Sequence, residues 1–218
     1  MYCLTILIKE VRHMESDGKA VTNGEKVISE PSIFQDLVIN GKCMITAPVT
    51  LKELTVNGSL QLESELKAQK ITIAGKLMAK GKVEADEFSI AGKAQMIGDL
   101  IFKEKFDVNG DLTCLGTIQT DSLMVFGTVK ATTVKASYVD INWESKKHLF
   151  GRRPISFIEN IECQTIKAQS LQCPNVKGKD IYLKEYSKIG NLTYSGTLDI
   201  DKSTQIAKKV NEKSETTL

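Results

Sequence analysis

The side chains that most often carry out catalysis or bind metals are few in this sequence, and they are scattered. The 218 residues include two histidines, His13 and His148, and five cysteines. The cysteines have neither the CxxC spacing of a zinc or redox site nor the spacing of a short secreted disulfide framework. No Ser/His/Asp or Cys/His arrangement can be placed around His148. The sequence therefore predicts no catalytic, metal-binding or cofactor-binding residue, no cofactor and no enzymatic activity.

Composition excludes several classes of partner. Lysine and arginine number 29 and aspartate and glutamate 27, so the net charge of +2 predicts neither a nucleic-acid-binding stripe nor a site that attracts acidic substrates. No small-molecule substrate is predicted. No run approaches the roughly 18 apolar residues of a membrane-spanning helix. An odd number of cysteines favours reduced, buried thiols, and with them a cytoplasmic location.

One short motif recurs along the chain: an apolar residue, any residue, an aliphatic residue, any residue and a glycine. It reads LVING, LTVNG, ITIAG, FSIAG, FDVNG and LMVFG, and it ends at Gly41, Gly58, Gly75, Gly92, Gly110 and Gly127. Successive glycine numbers differ by 17, 17, 17, 18 and 17. So regular a period indicates one structural unit stacked on itself.

Within each period the apolar residues alternate with polar ones, as in strands with one buried face. Positions two and four residues after each glycine are apolar in every copy, from Cys43 and Ile45 to Val129 and Ala131. Three alternating segments per period predict a coil of three short strands. Strands at equal positions would pair in parallel between coils. The predicted fold is an all-β, single-stranded parallel β-helix of about ten coils with one loop interruption.

Counting positions from each glycine also assigns structural roles to the glycines and the cysteines. Asparagine precedes the glycine three times, and Asn-Gly tolerates a positive φ at a tight bend, so the glycines are predicted corners. A second corner is predicted at Gly81, Gly98 and Gly116. Four cysteines stand at inward positions, where a small hydrophobic residue packs: Cys43, Cys114, Cys163 and Cys173.

The pattern also predicts the boundaries. Residues 1–23 form an N-terminal tail, 24–142 the first coils, 143–154 a basic loop, 155–206 further coils and 207–218 a polar C-terminal tail. Residues 1–13 are predicted to be an untranslated leader, with Met14 as the start. The alternative is an N-terminal strand or a membrane-touching tail, since MYCLTILI is apolar.

The basic loop does not alternate and ends in a proline that resists strand pairing. It admits two interpretations, a solvated insertion or a contact with an anionic membrane or an acidic partner. The second would involve Lys146, Lys147, Leu149, Phe150, Arg152 and Arg153.

The two ends of such a stack are the predicted functional surfaces. A terminal coil has strand edges and apolar columns without a neighbour, so it must be capped or will pair with another chain. No amphipathic helix is evident at either end. End-to-end self-assembly is therefore predicted, through Ile28, Ile33, Leu37 and Ile39 at one end and Tyr194, Leu198, Ile200 and Ile206 at the other.

These repeats resemble the bactofilins, bacterial polymer-forming cytoskeletal proteins. The likeness lies in GKVEADEFSIAGKAQMIGDL (residues 81–100) and GDLTCLGTIQTDSLMVFGTVKA (110–131), and residues 176–201 resemble longer Gram-positive members. The resemblance implies a right-handed β-helix and nucleotide-independent filaments that scaffold cell shape or motility. The implied partner is the protein itself or a paralogous copolymer, with frequent peripheral association at the inner face of the cell membrane. It transfers no catalytic residue.

Two alternatives from other classes stay open. A left-handed β-helix acyltransferase would need a hexapeptide repeat, a coil of three such repeats and usually a catalytic histidine. A solenoid that binds or cleaves polysaccharide would need exposed aromatic tracks or acidic clusters, whereas aromatic residues make up 6% of this chain.

Overall fold

The computed structural model describes residues 19–142 and 155–212, which form an all-β solenoid of about 11 turns built from parallel strands. The strands are β1 (Lys19–Ile28), β2 (Ser32–Ile45), β3 (Val49–Leu62), β4 (Leu66–Ala79), β5 (Val83–Met96), β6 (Leu100–Ile141), β7 (Ser156–Gln169), β8 (Leu171–Lys184), β9 (Lys188–Tyr194), β10 (Leu198–Ile200) and β11 (Gln205–Asn211). Each strand pairs with the next, except that β11 pairs with β9 and β10 with β8. The predicted fold class is confirmed.

The register between coils reproduces the repeat in the sequence. From β1 to β5, the numbers of partner residues differ by 17, so Gly24 pairs with Gly41 and Gly41 with Gly58. Between β5 and β6 the register shifts after Ala85, and the difference is 18 from Glu87 onward. This irregularity accounts for the single spacing of 18 in the glycine series, because an extra residue bulges out of the ladder.

The corner glycines lie inside continuous strands, which differs from the prediction of three short strands per coil. The strand β3, for example, runs through Gly58 without losing its pairing to β4. Gly75 has φ +136°, and a Cβ built on it would collide with the carbonyl oxygen of Gly58 in the preceding coil. Only glycine lets the stacked backbones approach this closely at a positive φ.

The core consists of inward columns that run along the solenoid axis. The residues predicted to face inward two and four positions after each glycine are buried from Cys43 and Ile45 onward. Near the bulge, Phe88, Phe102 and Phe106 pack with ring centroids 4.7 to 5.2 Å apart. In the part the structure describes, the inside of the solenoid is therefore lined by buried side chains that pack on one another.

The coils after residue 155 are shorter. Lys130 in β6 pairs with Phe157 in β7, a difference in number of 27 that falls to 15 when the segment 143–154 is left out. The offset is 15 between β7 and β8, 16 between β8 and β9, and 17 between β9 and β11. The solenoid thus contracts after the interruption and returns to its original offset in the last coil.

The boundaries extend beyond those expected from the sequence. The first strand begins at Lys19, before Gly24, and the last ends at Asn211, inside the segment assigned to the polar tail. The sequence pattern did not predict that β1 begins before Gly24, because the inward residues of this strand include the polar Thr22 and Lys26. The count of turns is accordingly about 11 rather than ten.

Candidate functional site: the two ends of the solenoid

The described ranges contain no cluster suited to metal binding. No group of three or more His, Cys, Asp or Glu side chains could hold a metal ion within residues 19–142 and 155–212. His13 and His148 lie outside these ranges.

The four described cysteines pack as core residues. Cys43, Cys114 and Cys173 are buried and Cys163 is half-buried, and all four are free thiols. Burial raises the pKa of Cys43 and Cys114 to about 11 and that of Cys163 and Cys173 to about 12. The thiols stay protonated at neutral pH, so none has the thiolate character of a nucleophile.

At the N-terminal end, the outermost described coil has a mixed inner lining. Its inward positions, read from the register with β2 and β3, are Ala20, Thr22, Lys26, Ile28, Ser32 and Phe34. Leu37 and Ile39, predicted end residues, are fully buried one coil further in, beneath Ala20 and Thr22. Ile28 is in the outermost coil, and Ile33 is 86% exposed on its outer wall. The end surface is therefore formed by fewer apolar residues than the sequence suggested.

The C-terminal end has a similar composition. Its inward positions are Leu198, Ile200, Thr204, Ile206, Lys209 and Asn211. Leu198 and Ile206 are half-buried and pack on the core, while Ile200 is 39% exposed. Tyr194 lies one coil in, paired with Asn211. Lys209 continues the column of Val176 and Leu192, so a charge now ends an otherwise apolar column.

Both ends leave strand edges without a neighbouring strand in the described part of the chain. β1 pairs only with β2, and β10 and β11 pair only with the coil below them. An unpaired edge presents N–H and C=O groups that another strand can satisfy. Inward charges such as Lys26 and Lys209 limit indiscriminate pairing at such edges. The ends are therefore able to pair, and their polar positions restrict what they pair with.

A turn at the C-terminal end is organised by one carboxylate. Asp201 Oδ1 accepts hydrogen bonds from the Ser203 and Thr204 backbone N–H groups at 3.1 and 3.0 Å, and Oδ2 accepts one from the Glu185 N–H at 2.9 Å. Although burial raises the pKa of Asp201, these bonds outweigh it and hold the pKa below its usual value. The sequence signal for this turn is Asp-Lys-Ser-Thr, in which the polar side chains can bond to the nearby backbone.

The side walls carry exposed ladders of paired side chains. Asn40 Nδ2 donates to Asn23 Oδ1 at 3.0 Å, and Asn57 Nδ2 donates to Asn40 Oδ1 at 2.9 Å. Opposite charges pair between coils, as in Lys80 with Glu63 at 2.8 Å. Exposed pairs of this kind contribute little to stability, because solvent screens them.

The predicted contact loop falls in the segment 143–154. Lys146, Lys147, Leu149, Phe150, Arg152 and Arg153 all lie outside the described residues. In the residues that are described, no helix has the length and apolar character needed to cross a bilayer. The membrane contact stays a prediction.

Comparisons with known proteins identified no relative of this chain. Neither a scan against protein-family models, nor a search of curated proteins, nor a search of solved structures found a match.

Proposed function

We propose that this protein is a self-assembling scaffold whose solenoids stack end to end into filaments. The observation that carries the proposal is the pair of open ends, where parallel strand edges and partly apolar columns stop without a neighbouring strand in residues 19–142 and 155–212. A second copy offers the chemistry that these ends require, which is another parallel edge and another set of inward residues.

The energetics favour assembly driven by the ends alone. Adding one coil to the next inside the chain pairs nearly the whole length of each strand, as between β2 and β3, and covers an apolar layer. An intermolecular contact that reproduces this pairing needs no nucleotide hydrolysis. Polar residues at half of the inward positions would weaken each contact, so we expect polymers that dissociate on dilution.

The proposed role is organisation of other cellular components along the filament, as the bactofilin resemblance implies. The repeated side walls support this role, because a stacked solenoid displays the same surface many times. The proposed location is cytoplasmic, and a contact at the inner face of the membrane would come from the 143–154 loop.

Electron microscopy of the full chain in nucleotide-free buffer tests the proposal. We expect thin filaments one solenoid wide, and pelleting that depends on protein concentration. A monodisperse small oligomer at all concentrations would rule it out.

A matched pair of variants separates the ends from the walls. Ile206→Asp places a charge in an end column and should abolish pelleting while the far-ultraviolet circular dichroism stays that of a β-solenoid. Ile97→Asp makes the same change at a wall position that is 56% exposed and should leave pelleting unchanged. Equal loss in both variants would mean that the ends do not carry assembly.

A further inference from the structure

We infer that the C-terminal coil of one molecule accepts the N-terminal coil of the next, so that the filament is head-to-tail, with Asn23 placed over Asp201. The inference rests on the proposed end-to-end assembly and specifies its direction and register. It follows from three features of the end coils.

The first feature is matching spacing. Ala20 and Ile28 are eight positions apart at the N-terminal end, and Leu198 and Ile206 are eight apart at the C-terminal end. Both pairs occupy the same columns. Ile28 and Ala131 each stand four positions after a corner glycine, so they share one column. That column continues from Ala131 to Ile158 and, through β8 and β9, to Ile206. The segment 20–28 can therefore stack on 198–206 residue for residue, like two successive coils within one chain.

The second feature is the hydrogen-bonding direction of the asparagine ladder. Each Nδ2 group donates to the side-chain oxygen of the preceding coil, from Asn57 to Asn40 and from Asn40 to Asn23. Asn23 Nδ2 donates to no described residue. In the head-to-tail register the residue below it is Asp201, whose carboxylate is an acceptor. Oδ2 of Asp201 accepts one backbone N–H and shares the single Ser203 hydroxyl proton with Oδ1, so it has capacity for a further donor.

The third feature is the space beside Gly24. Later corner glycines abut the carbonyl oxygen of the glycine one coil before, whereas a Cβ on Gly24 would meet nothing within 4 Å. A head-to-tail neighbour would place the backbone of Lys202 in this space. The glycine is thus already suited to a preceding coil, which residues 19–142 and 155–212 of the same chain do not supply.

The remaining pairs are compatible with this register. Leu198 would stack on Ala20 and Ile206 on Ile28, and Thr204 would lie below Lys26. Beyond the next corner, which is one residue shorter at the C-terminal end, Val210 would cover the exposed Ile33. None of these positions brings like charges together.

Directed disulfide formation tests the register. Val27 and Gln205 would be parallel partners with Cα atoms about 5 Å apart, within the range that a disulfide bridges. A Cys3→Ser background removes the fifth cysteine, the one outside the four inward positions. In this background, assembled chains carrying both Val27→Cys and Gln205→Cys should oxidise to a ladder of covalent oligomers. A mixture of the two single variants should stop at dimers, and each single variant alone should stay monomeric on a denaturing gel.

The failure of this inference differs from the failure of filament formation. Filaments in which Val27→Cys alone gives dimers, or in which the double variant gives no ladder, would overturn the head-to-tail register and leave the scaffold proposal intact. Absence of filaments in the unmodified protein would overturn both.

A charge exchange gives an independent readout. Asn23→Asp faces Asp201 with a second carboxylate and should raise the concentration needed for pelleting at least tenfold. Adding Asp201→Asn in the same chain should restore pelleting, since the amide introduced at position 201 can donate to the new carboxylate. Lack of rescue, in a double variant whose circular dichroism shows the native fold, would contradict the Asn23–Asp201 contact.

Discussion

The coils before residue 142 and those after residue 155 close their corners by different means. The first set uses glycines at positive φ, and from Gly41 onward each is stacked on the glycine of the coil before it. The second set has no positive-φ glycine among its described residues and instead places Ser170, Glu185 and Tyr186 at φ between 52° and 63°. Side chains then satisfy the backbone, as when Ser170 Oγ donates to the Glu185 carbonyl at 3.0 Å. The same solenoid is therefore maintained either by a repeated backbone geometry or by individual polar contacts.

The junction between the two sets shows how one mechanism gives way to the other. Asn142, at φ 58°, accepts a hydrogen bond from the Gly127 N–H and donates to the Gly127 carbonyl, both at 2.8 Å. Its side-chain amide thus makes the hydrogen bonds to Gly127 in place of the backbone of a following glycine corner. Where the chain returns, the buried Ser156 Oγ accepts from the Val129 N–H at 3.2 Å. These two side chains keep the ladder satisfied across the break.

The strongest test of the comparison is a side chain at a glycine corner. Gly75→Ala should destabilise the protein by about 3–5 kcal/mol, because its Cβ meets the Gly58 carbonyl and its φ is strained. Ser170→Gly in the second set should change stability by less than about 1 kcal/mol, since relief at positive φ offsets the lost hydrogen bond. Urea unfolding followed by circular dichroism measures both. Similar losses in the two variants would mean that the corners are not built differently.

The aromatic cluster in the first set gives the next largest effect. Phe106→Ala should cost about 3–4 kcal/mol, because it leaves a cavity between Phe88 and Phe102. Phe126→Ala removes the same ring from a site that is 43% exposed and should cost about 1 kcal/mol. If both variants unfold at the same urea concentration, the cluster is not a principal source of stability.

Acid should loosen the second set through Asp201. Its folded pKa is lowered, so its contribution is complete at neutral pH, above the unfolded value near 4, and is lost as the pH falls through the folded value. Asp201→Asn should therefore reduce the loss of stability between pH 7 and pH 3. Thermal unfolding at both pH values provides the measurement, and an unchanged loss in the variant would remove Asp201 from the account.

The smallest effect is expected at the asparagine ladders, which both sets possess. Asn40→Ala and Asn175→Ala each break two exposed side-chain hydrogen bonds, with Asn23 and Asn57 in one case and Asn160 and Asn191 in the other. Each should cost about 1 kcal/mol or less. Hydrogen exchange of the flanking backbone amides measures these small changes. A much larger change at one site would show that its ladder is structurally essential.

The repeated features of the fold could be predicted from the sequence, and the single ones could not. A regular period identified the glycine corners and the inward columns because each occurs many times. Asn142 and Asp201 act once each, and the role of Ser156 recurs at Ser187 outside the glycine motif, so the period of the glycines marks none of them. The sequence shows that Lys26 and Lys209 are charged, but it does not show that Lys209 stands in a core column. That position depends on the shortened coils after residue 155, and no repeated motif in the sequence predicts their length. The open ends were predicted, whereas their partly polar lining was not.

Fibre diffraction or cryo-electron microscopy of assembled protein tests the central claim most directly. Strands about 4.8 Å apart in about 11 turns predict a strong meridional reflection near 4.8 Å and, for head-to-tail stacking, a subunit repeat of about 53 Å. A repeat near twice that length would indicate alternating orientations. Particles without a continuous spacing of about 4.8 Å along the filament axis, or no filament at all, would contradict assembly through the ends of the solenoid.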